Sequence, residues 1–445
     1  MKGQGSRVML PVVAALVVAT APRLAQANSF SPWPAFQHDS SHSGVTADTS
    51  VGASNASGLV LKWRTLVGGS GKKPPSVATS PAIVYNQTLG KTLAYVGSEG
   101  GRSSALVAVD TASGAVVWKY SVGTKIWASP AVDSNTVYFA GQDTLYAVNA
   151  TTGKLQCSFN ARGHIFSSPT VAAVDTTGPV VYFGDTGTSE SQNAGHEWAI
   201  NGVGNTAGNC TKKWVFNAFL NKGPNGSNTG VWSPAAVASD ASGRQLVVFG
   251  SSQPDDAVYA LNAKTGAEVW RFQTAVLGPD DDVGGGPTIG APGVNGLSDG
   301  VVYLDGKDTI EYAVNLLTGK EVWEFNMGAD SGVVVNCQST AALVGGLVIV
   351  PEGPYLYALN AVSGTKTWRT AATSSDYLSS PAVSGGSGNQ VAFIGDLAGV
   401  EHGYRISDGA QVFSDTAGTS ITSSAAEAGG LVLLGSNDDR LYAFG

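Results

Sequence analysis

One phrase recurs along the chain, and a repeat of this kind restricts the possible folds more than any other feature of the sequence. Each copy reads as an alternating strand, a turn that ends in Gly, and a short strand that usually ends in an aromatic residue. The Gly is explained by the turn, which needs a positive φ that other residues rarely adopt. Clear copies occupy 105–118, 145–157, 258–270, 311–323, 356–368 and 402–413, and a degenerate copy occupies 197–214.

Each copy is preceded by a strand start that commonly reads Ser-Pro. The eight starts are Ser80-Pro81, Ser129-Pro130, Ser168-Pro169, Ser233-Pro234, Gly286-Pro287, Ser339-Thr340, Ser380-Pro381 and Ser423-Ser424. Their mean spacing is about 49 residues, which is the length of a four-stranded propeller blade. No segment has a sustained helical period, so parallel α/β folds are excluded. We therefore predict an all-β, eight-bladed β-propeller of four-stranded antiparallel blades.

The two ends of the chain supply the last blade together. Residues 441–445 begin the phrase, but the chain stops before its turn and final strand. Residues 57–63 read as the missing strand, ending at Trp63. Pairing the two would remove two open sheet edges. We predict that the N-terminal strand closes the last blade and that the propeller spans 59–445.

The phrase-ending residues form a series of large side chains. The series is Trp63, Trp118, Trp214, Trp270, Trp323, Trp368 and Phe413, with Cys157 at the second blade's position. We interpret these rings as wedges that pack one blade against the next. The chain has three cysteines, so at least one is unpaired, and the sequence leaves open whether Cys157 and Cys210 form a disulfide.

The N-terminus predicts export. Residues 1–27 have a basic start, a short apolar stretch and the small-x-small end Ala25-Gln26-Ala27, which is typical of a cleaved signal peptide. The apolar stretch is not followed by a cysteine that could carry a lipid, since the first cysteine is Cys157. No later segment is long and apolar enough to span a membrane. We expect a periplasmic or secreted protein with a lead-in segment at 28–58. The net charge of −8 disfavours nucleic acid as a partner.

The phrase resembles the propeller repeats of the pyrroloquinoline quinone (PQQ) family. Residues 33–39, followed by His42 and Gly44, also resemble the segment that leads into such propellers. The family includes quinoprotein dehydrogenases and non-enzymatic scaffolds of outer-membrane assembly. The resemblance therefore implies the fold firmly and leaves two classes of function open.

Five short stretches resemble the site of the quinoprotein dehydrogenases. The resemblance implies that Trp232 forms the floor under the quinone, Lys307 lies beside the quinone oxygens and Asn336 bonds the quinone. It implies that Asp282 is the catalytic base, and that Gln253 and, in a poorly matching loop, Glu190 are ligands of Ca²⁺. A hard cation with oxygen ligands, a carboxylate base and a flat aromatic ring suit oxidation of an alcohol by a quinone.

The first hypothesis is a PQQ- and Ca²⁺-dependent oxidoreductase that acts on alcohols, polyols or sugars. No C-x-x-C-H haem motif is present, so electrons would leave through an external acceptor. The alternative is a cofactor-free scaffold that docks envelope proteins, and a third possibility is a purely structural, adhesin-like propeller. Each site residue also has an ordinary role open to it: core for Trp232, a solvated turn for Asp282 and an exposed hairpin for Lys307.

Overall fold

Eight four-stranded antiparallel sheets form the computed structural model of this protein. The structure describes Met1 and residues 30–68, 76–100, 104–187, 195–218, 230–278, 280–334 and 339–445. The signal peptide predicted over 1–27 lies outside these residues apart from Met1 and stays a prediction. The prediction of an eight-bladed, all-β propeller is confirmed.

The first four blades follow one another in chain order, each adding its strands from the centre outwards. Blade 1 has β2 (Ala82–Asn86), β3 (Lys91–Gly97), β4 (Ala105–Asp110) and β5 (Val116–Ser121); blade 2 has β6 (Ala131–Asp133), β7 (Thr136–Gly141), β8 (Thr144–Asn149) and β9 (Leu155–Asn160); blade 3 has β10 (Thr170–Ala172), β11 (Val180–Gly184), β12 (His196–Asn201) and β13 (Thr211–Asn217); blade 4 has β14 (Ala236–Ser239), β15 (Gln245–Gly250), β16 (Ala257–Asn262) and β17 (Glu268–Gln273).

The remaining blades complete the ring. Blade 5 has β18 (Thr288–Gly290), β19 (Val301–Asp305), β20 (Ile310–Asn315) and β21 (Glu321–Asn326); blade 6 has β22 (Ala342–Val344), β23 (Leu347–Glu352), β24 (Tyr355–Asn360) and β25 (Lys366–Arg369); blade 7 has β26 (Ala382–Ser384), β27 (Val391–Gly395), β28 (Val400–Arg405) and β29 (Gln411–Thr416); blade 8 has β30 (Ala426–Ala428), β31 (Leu431–Ser436), β32 (Arg440–Phe444) and β1 (Leu61–Leu66). The described residues also include a short helix, α1 (Met327–Ser331), and 3₁₀ turns at Ala56–Gly58 and Val294–Gly296.

Ring closure follows the predicted path. Strand β1 pairs antiparallel with β32, so the N-terminal strand completes the blade that the C-terminus begins. The innermost strands of neighbouring blades contact one another all the way round, including β30 against β2. We letter the strands of each blade A to D from the innermost outwards.

Tryptophans within the D strands pack each blade against the next, as predicted. The Trp368 indole N–H donates to the Ile406 carbonyl at 2.8 Å, across the boundary between blades 6 and 7. Its ring lies on the phrase glycine Gly409, where φ is +71° and an added Cβ would be 2.8 Å from the ring. The same pairing joins Trp63 to Gly114, Trp118 to Gly153, Trp214 to Gly266, Trp270 to Gly319 and Trp323 to Gly364.

A disulfide replaces the wedge where the tryptophan is missing. Cys157 occupies the tryptophan position of blade 2 and bonds to Cys210, at the degenerate phrase of blade 3. The Cα atoms are 5.2 Å apart, within the normal range for a disulfide. The structure thus answers the question that the sequence left open.

The lead-in segment lies inside the ring of A strands. Its backbone bonds to Ile83, Val132, Val237, Ile289, Leu343 and Val383 on the A strands of blades 1, 2 and 4–7. The buried His42 ring contacts the Thr170 hydroxyl of blade 3 and the Pro287 carbonyl, and Asp48 accepts from the Gly429 N–H beside blade 8. The segment therefore satisfies inward-facing backbone groups that would otherwise form exposed sheet edges. Among the described residues, no helix has the length and apolar character needed to cross a bilayer.

Candidate functional site

The predicted site residues that the structure describes all lie at one end of the propeller. Because the four strands of a blade alternate in direction, the B–C turns and the connections to the next blade share one end. Gln253 lies in the B–C turn of blade 4 and Lys307 in that of blade 5. Trp232 and Asp282 precede the A strands of blades 4 and 5. We call this end the site face.

A ring of hydroxyl groups marks where the blades meet at the site face. The N–H of Ser80 donates to the Ser129 hydroxyl at 2.9 Å, and equivalent bonds link Ser129 to Ser168, Gly286 to Thr340, Thr340 to Ser380, Ser380 to Ser424 and Ser424 to Ser80. Blade 4 has Pro234 at this position, without N–H or hydroxyl. Blade 5 has Gly286, which has no hydroxyl. The ring is therefore incomplete at the two blades that carry Trp232 and Asp282.

Trp232 stands two residues before the ring position of its blade. The equivalent residues in blades 2 and 3 are Trp127 and Phe166, which stack on each other with ring centroids 4.5 Å apart. Trp232 is half-buried, and its indole N–H is buried without a hydrogen-bond partner among the described residues. The wedge tryptophans, in contrast, donate their indole N–H groups to the next blade. Trp232 is therefore not one of the packing wedges.

Lys307 joins the two blades at this point. Its Nζ lies 2.7 Å from Oδ2 of Asp282 and 2.7 Å from Oδ1 of Asp280. The same Nζ lies 4.9 Å from the centroid of the Trp232 ring, which is cation–π distance. The other oxygen of Asp282 accepts the backbone N–H of Gln253 at 2.6 Å. An ammonium, two carboxylates and an indole from three loops thus meet at one place.

Burial and charge act against each other at this centre. Lys307 is only 8% exposed and Asp282 only 7%, so neither has the exposed or solvated position that its ordinary role would give. Burial raises the pKa of Asp282, while hydrogen bonds from Lys307 and the Gln253 N–H lower it. Burial also disfavours the ammonium of Lys307, but the bonds to Asp280 and Asp282 outweigh this and raise its pKa. The Lys307 hydrogen bond lowers the pKa of the more exposed Asp280.

The roles predicted for Gln253, Asn336 and Glu190 are not tested by the structure. Gln253 contacts Asp282 through its backbone N–H, and its role as a metal ligand stays a prediction. Asn336 and Glu190 lie outside the described residues. Across the described part of the chain, no group of three or more His, Cys, Asp or Glu side chains is arranged to hold a metal ion.

Sequence reasoning missed two acidic residues of the centre. Asp280 precedes Asp282 in an acidic triplet, and its partnership with Lys307 depends on the loop path rather than on any motif. Asp256 is 1% exposed and lies in the same turn as Gln253. Its only sequence signal is its place in a B–C turn of the site face, next to a predicted site residue.

Comparison with curated proteins finds two remote relatives. Over 295 residues, or 64% of this chain, it is 22% identical to the tetrathionate hydrolase of Acidithiobacillus ferrooxidans, of which the match covers 52%. Over 97 residues, or 20% of this chain, it is 34% identical to the outer membrane protein assembly factor BamB of Salmonella typhimurium, of which the match covers 24%. The matches thus span about half or less of these relatives.

Solved structures extend the likeness to nearly the whole chain. The quinohemoprotein alcohol dehydrogenase of Comamonas testosteroni has a TM-score of 0.72 at 16% identity, covering 93% of this chain and 80% of that one. BamB of Moraxella catarrhalis has a TM-score of 0.60 at 14% identity, covering 87% of this chain and 99% of that one. At such identities the likeness establishes the fold alone. The similar structures include a dehydrogenase and a BamB, so they represent both classes of function that the sequence leaves open.

A family model gives the more specific result. The model described as outer membrane protein assembly factor BamB, built on the PQQ-type repeat, matches residues 102–182 and 222–445. These two ranges cover more than half of the sequence and include all eight blades at least in part. The chain therefore belongs to this family of PQQ-repeat propellers.

Proposed function

We propose that this protein is an oxidoreductase that binds PQQ at the site face and oxidises an alcohol, polyol or sugar. One observation carries the proposal: the buried Lys307 ammonium contacts both the Asp282 carboxylate and the Trp232 ring. Burial of a lysine is costly unless its ammonium is paired. A surface that only docks protein partners does not need a buried lysine at this place. Perturbed charges grouped at one point are typical of functional sites.

The described residues fit a quinone. The flat Trp232 ring offers a stacking surface, and its unpartnered indole N–H marks a polar atom left for a ligand. Lys307 supplies the positive charge that suits the oxygens of a reduced quinone. When bound, PQQ would supply the acceptor for the hydride that leaves the substrate. Asn336 as a further quinone contact stays a prediction.

The described residues support calcium less well. Both oxygens of Asp282 already have hydrogen-bond donors, from Lys307 and Gln253. Glu190, the predicted carboxylate ligand, lies outside the described residues. No step of the proposed chemistry uses a metal ion, and the experiment is therefore run with and without Ca²⁺.

Asp282, Lys307 and Trp232 have different roles in the proposed oxidation. Asp282 accepts the proton of the substrate hydroxyl, because its charge is held in place by two donors and shielded from bulk water. The Lys307 ammonium favours the ionised form of Asp282, against the burial that leaves the pKa of this carboxyl raised, and it stabilises negative charge on the neighbouring ligand. Trp232 fixes the orientation of the flat ring. Electrons leave through an external acceptor.

The test is dye reduction by purified protein with PQQ, with and without Ca²⁺, in the presence of simple alcohols, polyols and sugars. We expect reduction that Asp282→Asn and Trp232→Ala abolish. Trp127→Ala is the matched control, because Trp127 holds the equivalent position in blade 2, and it should keep most of the activity. The proposal would be contradicted if Trp232→Ala were as active as wild type, or if wild type had no PQQ-dependent activity.

The second candidate is a scaffold that docks envelope proteins. Exposed apolar residues on the connections around the acidic loop favour it: Val276 is 63%, Leu277 66% and Val334 78% exposed. Such residues commonly anchor protein partners. Pull-down from an envelope extract that succeeds with wild type, fails with Val276→Ser/Leu277→Ser and is indifferent to Asp282→Asn would favour the scaffold.

We also propose that the protein is exported to the periplasm or secreted. The basic start, apolar stretch and Ala25-Gln26-Ala27 support this, and the family description refers to the outer membrane. Mass spectrometry of the purified mature protein should give an N-terminus at Asn28. An intact Met1 would contradict cleavage.

A further inference from the structure

Tyr312 is a buried tyrosine beside the centre, and the chemistry described so far does not use it. It lies on β20, the C strand of blade 5, and only 2% of it is exposed. Its hydroxyl donates to Oδ2 of Asp308 at 2.6 Å and accepts the backbone N–H of Ala275 at 3.0 Å. Burial and the bond to Asp308 raise the pKa of Tyr312, so the hydroxyl keeps the proton that it donates.

The two partners of this hydroxyl belong to the two loops that bring the charges of the centre together. Asp308 directly follows Lys307 in the B–C turn of blade 5. Ala275 lies in the connection between blades 4 and 5, which also carries Asp282. The Tyr312 hydroxyl therefore ties the loop of the lysine to the loop of its carboxylate partner.

Asp308 makes this tie firm on the side of the lysine. It is 3% exposed, and its Oδ1 accepts the Ile310 N–H at 3.1 Å, so its side chain is fixed within the turn. The backbone N–H of Lys307 also donates to the Asp282 carbonyl at 3.1 Å. Besides the bonds of the lysine ammonium, the turn and the connection are therefore joined through their backbones and through the Tyr312 hydroxyl.

Tyrosines at the equivalent position of two other blades make half of this link. Tyr259 in blade 4 and Tyr442 in blade 8 each donate to an Asp of their own B–C turn at 2.7 Å. Among the residues that the structure describes, neither hydroxyl accepts a backbone N–H from a connection between blades. The bond from Ala275 therefore distinguishes the tyrosine of the blade that carries Lys307.

We propose that Tyr312 is a positioning residue, whose hydroxyl holds the turn of Lys307 against the connection of Asp282. The ammonium then stays in contact with the Asp282 carboxylate and the Trp232 ring, and Tyr312 acts through its two hydrogen-bond partners. The proposal rests on the proposed function, in which these three groups act on the substrate and the quinone. The side chains of a site keep their geometry when the residues around them fix it, and Tyr312 supplies that support here.

The first test measures how accessible the Lys307 amine is, and it needs neither cofactor nor substrate. An amine-reactive reagent labels the native protein, and peptide mass spectrometry gives the rate at each lysine. The Lys307 side chain is 6% exposed and should react slowly in wild type. In Tyr312→Phe it should react about two- to tenfold faster, the factor expected for loss of one hydrogen bond. Lys213, which is 15% exposed and bonds Asp175, should keep its rate, because the fold as a whole is not loosened.

Tyr442→Phe is the matched control, because it removes the equivalent tyrosine–aspartate bond in blade 8 and should leave the Lys307 rate unchanged. Asp308→Ala should speed labelling of Lys307 as Tyr312→Phe does, and the double variant should add little, since the two side chains form one link. An unchanged Lys307 rate in Tyr312→Phe, an equal increase in Tyr442→Phe, or fully additive effects in the double variant would overturn the proposal.

Dye reduction with PQQ gives the second readout. Tyr312→Phe should lower kcat about tenfold or more with little change in the KM of the alcohol, since displaced charges weaken the transition state more than binding. An active wild type with unchanged kcat in Tyr312→Phe would overturn the positioning role and leave the quinone function intact. The expected labelling pattern in a protein that neither binds PQQ nor reduces dye would support the link from Tyr312 to Lys307 and contradict the quinone function.

Discussion

At the scale of single residues, the centre depends on how one lysine is shared. Lys307 satisfies Asp280 and Asp282 simultaneously while it covers the Trp232 ring. In a buried setting the desolvation of an ion pair roughly offsets its attraction, so such a pair contributes little net stability. Removing one partner, however, would leave an uncompensated buried charge, which is costly.

Lys307→Met should therefore be costly. We expect the free energy of unfolding to fall by about 3 kcal/mol, because Asp282 would stay buried without its cation. Lys91→Met is the control: Lys91 bonds Asp110 at 2.6 Å but its side chain is 48% exposed, so the loss should be below about 1 kcal/mol. Urea unfolding at pH 7 measures both, and equal losses would contradict the account.

The sequence predicted the members of this centre better than their contacts. Trp232, Asp282 and Lys307 were found through resemblance to family motifs, and the structure brings them together. Asp280 and Asp256 were missed, because a carboxylate in a loop gives no sign of its burial or partner until the loop path is known. Ordinary residue preferences would have left Lys307 in solvent.

At the scale of elements, the repeated phrase encodes contacts between blades as well as strands within them. Its tryptophan and its glycine belong to the same interface, since the ring of one blade lies on the glycine of the next. The glycine is thus needed for its positive φ and for the space that the indole occupies. The repeat made this interface predictable. The Cys157–Cys210 bond was not, because the degenerate copy in blade 3 hides the register of Cys210.

Trp368→Ala should destabilise the propeller by about 3–5 kcal/mol, because it removes a large ring from the boundary between two blades. Trp368→Phe should cost less, since it keeps most of the contact and loses the bond to Ile406. Urea melts give both values. A loss below about 1 kcal/mol for the alanine variant would contradict the wedge role.

At the scale of the whole molecule, the ring holds several buried acids and a segment that fills its interior. The lead-in segment was recognised by its resemblance to a family segment. Its path through the ring could not be predicted, because its partners on the A strands lie up to hundreds of residues away in the sequence. The number of blades and the closure by the N-terminal strand were predictable, since both follow from counting copies of the phrase. Buried acids could not be predicted, because the alternation of a strand does not distinguish a buried Glu from an apolar residue.

These acids predict how stability depends on pH. Glu197, Glu311, Glu401 and Glu427 are at most 2% exposed, and burial raises their pKa well above 4.5. For Glu401 the neighbouring Asp396 raises it further. A raised pKa in the folded state means stability that is fully present below pH 4.5 and is lost as the pH rises through the folded value.

Glu401→Gln removes this penalty and should gain on wild type as the pH rises. We expect similar free energies of unfolding at pH 4, then an advantage for the variant that grows by about 1.4 kcal/mol for each pH unit until the folded pKa is reached. Glu321→Gln, at an exposed position on β21, should show no such trend. Urea unfolding at pH 4, 6 and 8 measures it, and a constant difference would be the contrary result.

The most direct test of the central claim is the stoichiometry of PQQ binding. It is measured by equilibrium dialysis, from the excess of quinone absorbance on the side of the membrane that contains the protein. The account predicts one PQQ per chain for wild type and for Trp127→Ala, and loss of that binding in Trp232→Ala and Lys307→Met. Wild-type protein that retains no PQQ, or variants at Trp232 and Lys307 that retain as much as wild type, would contradict it.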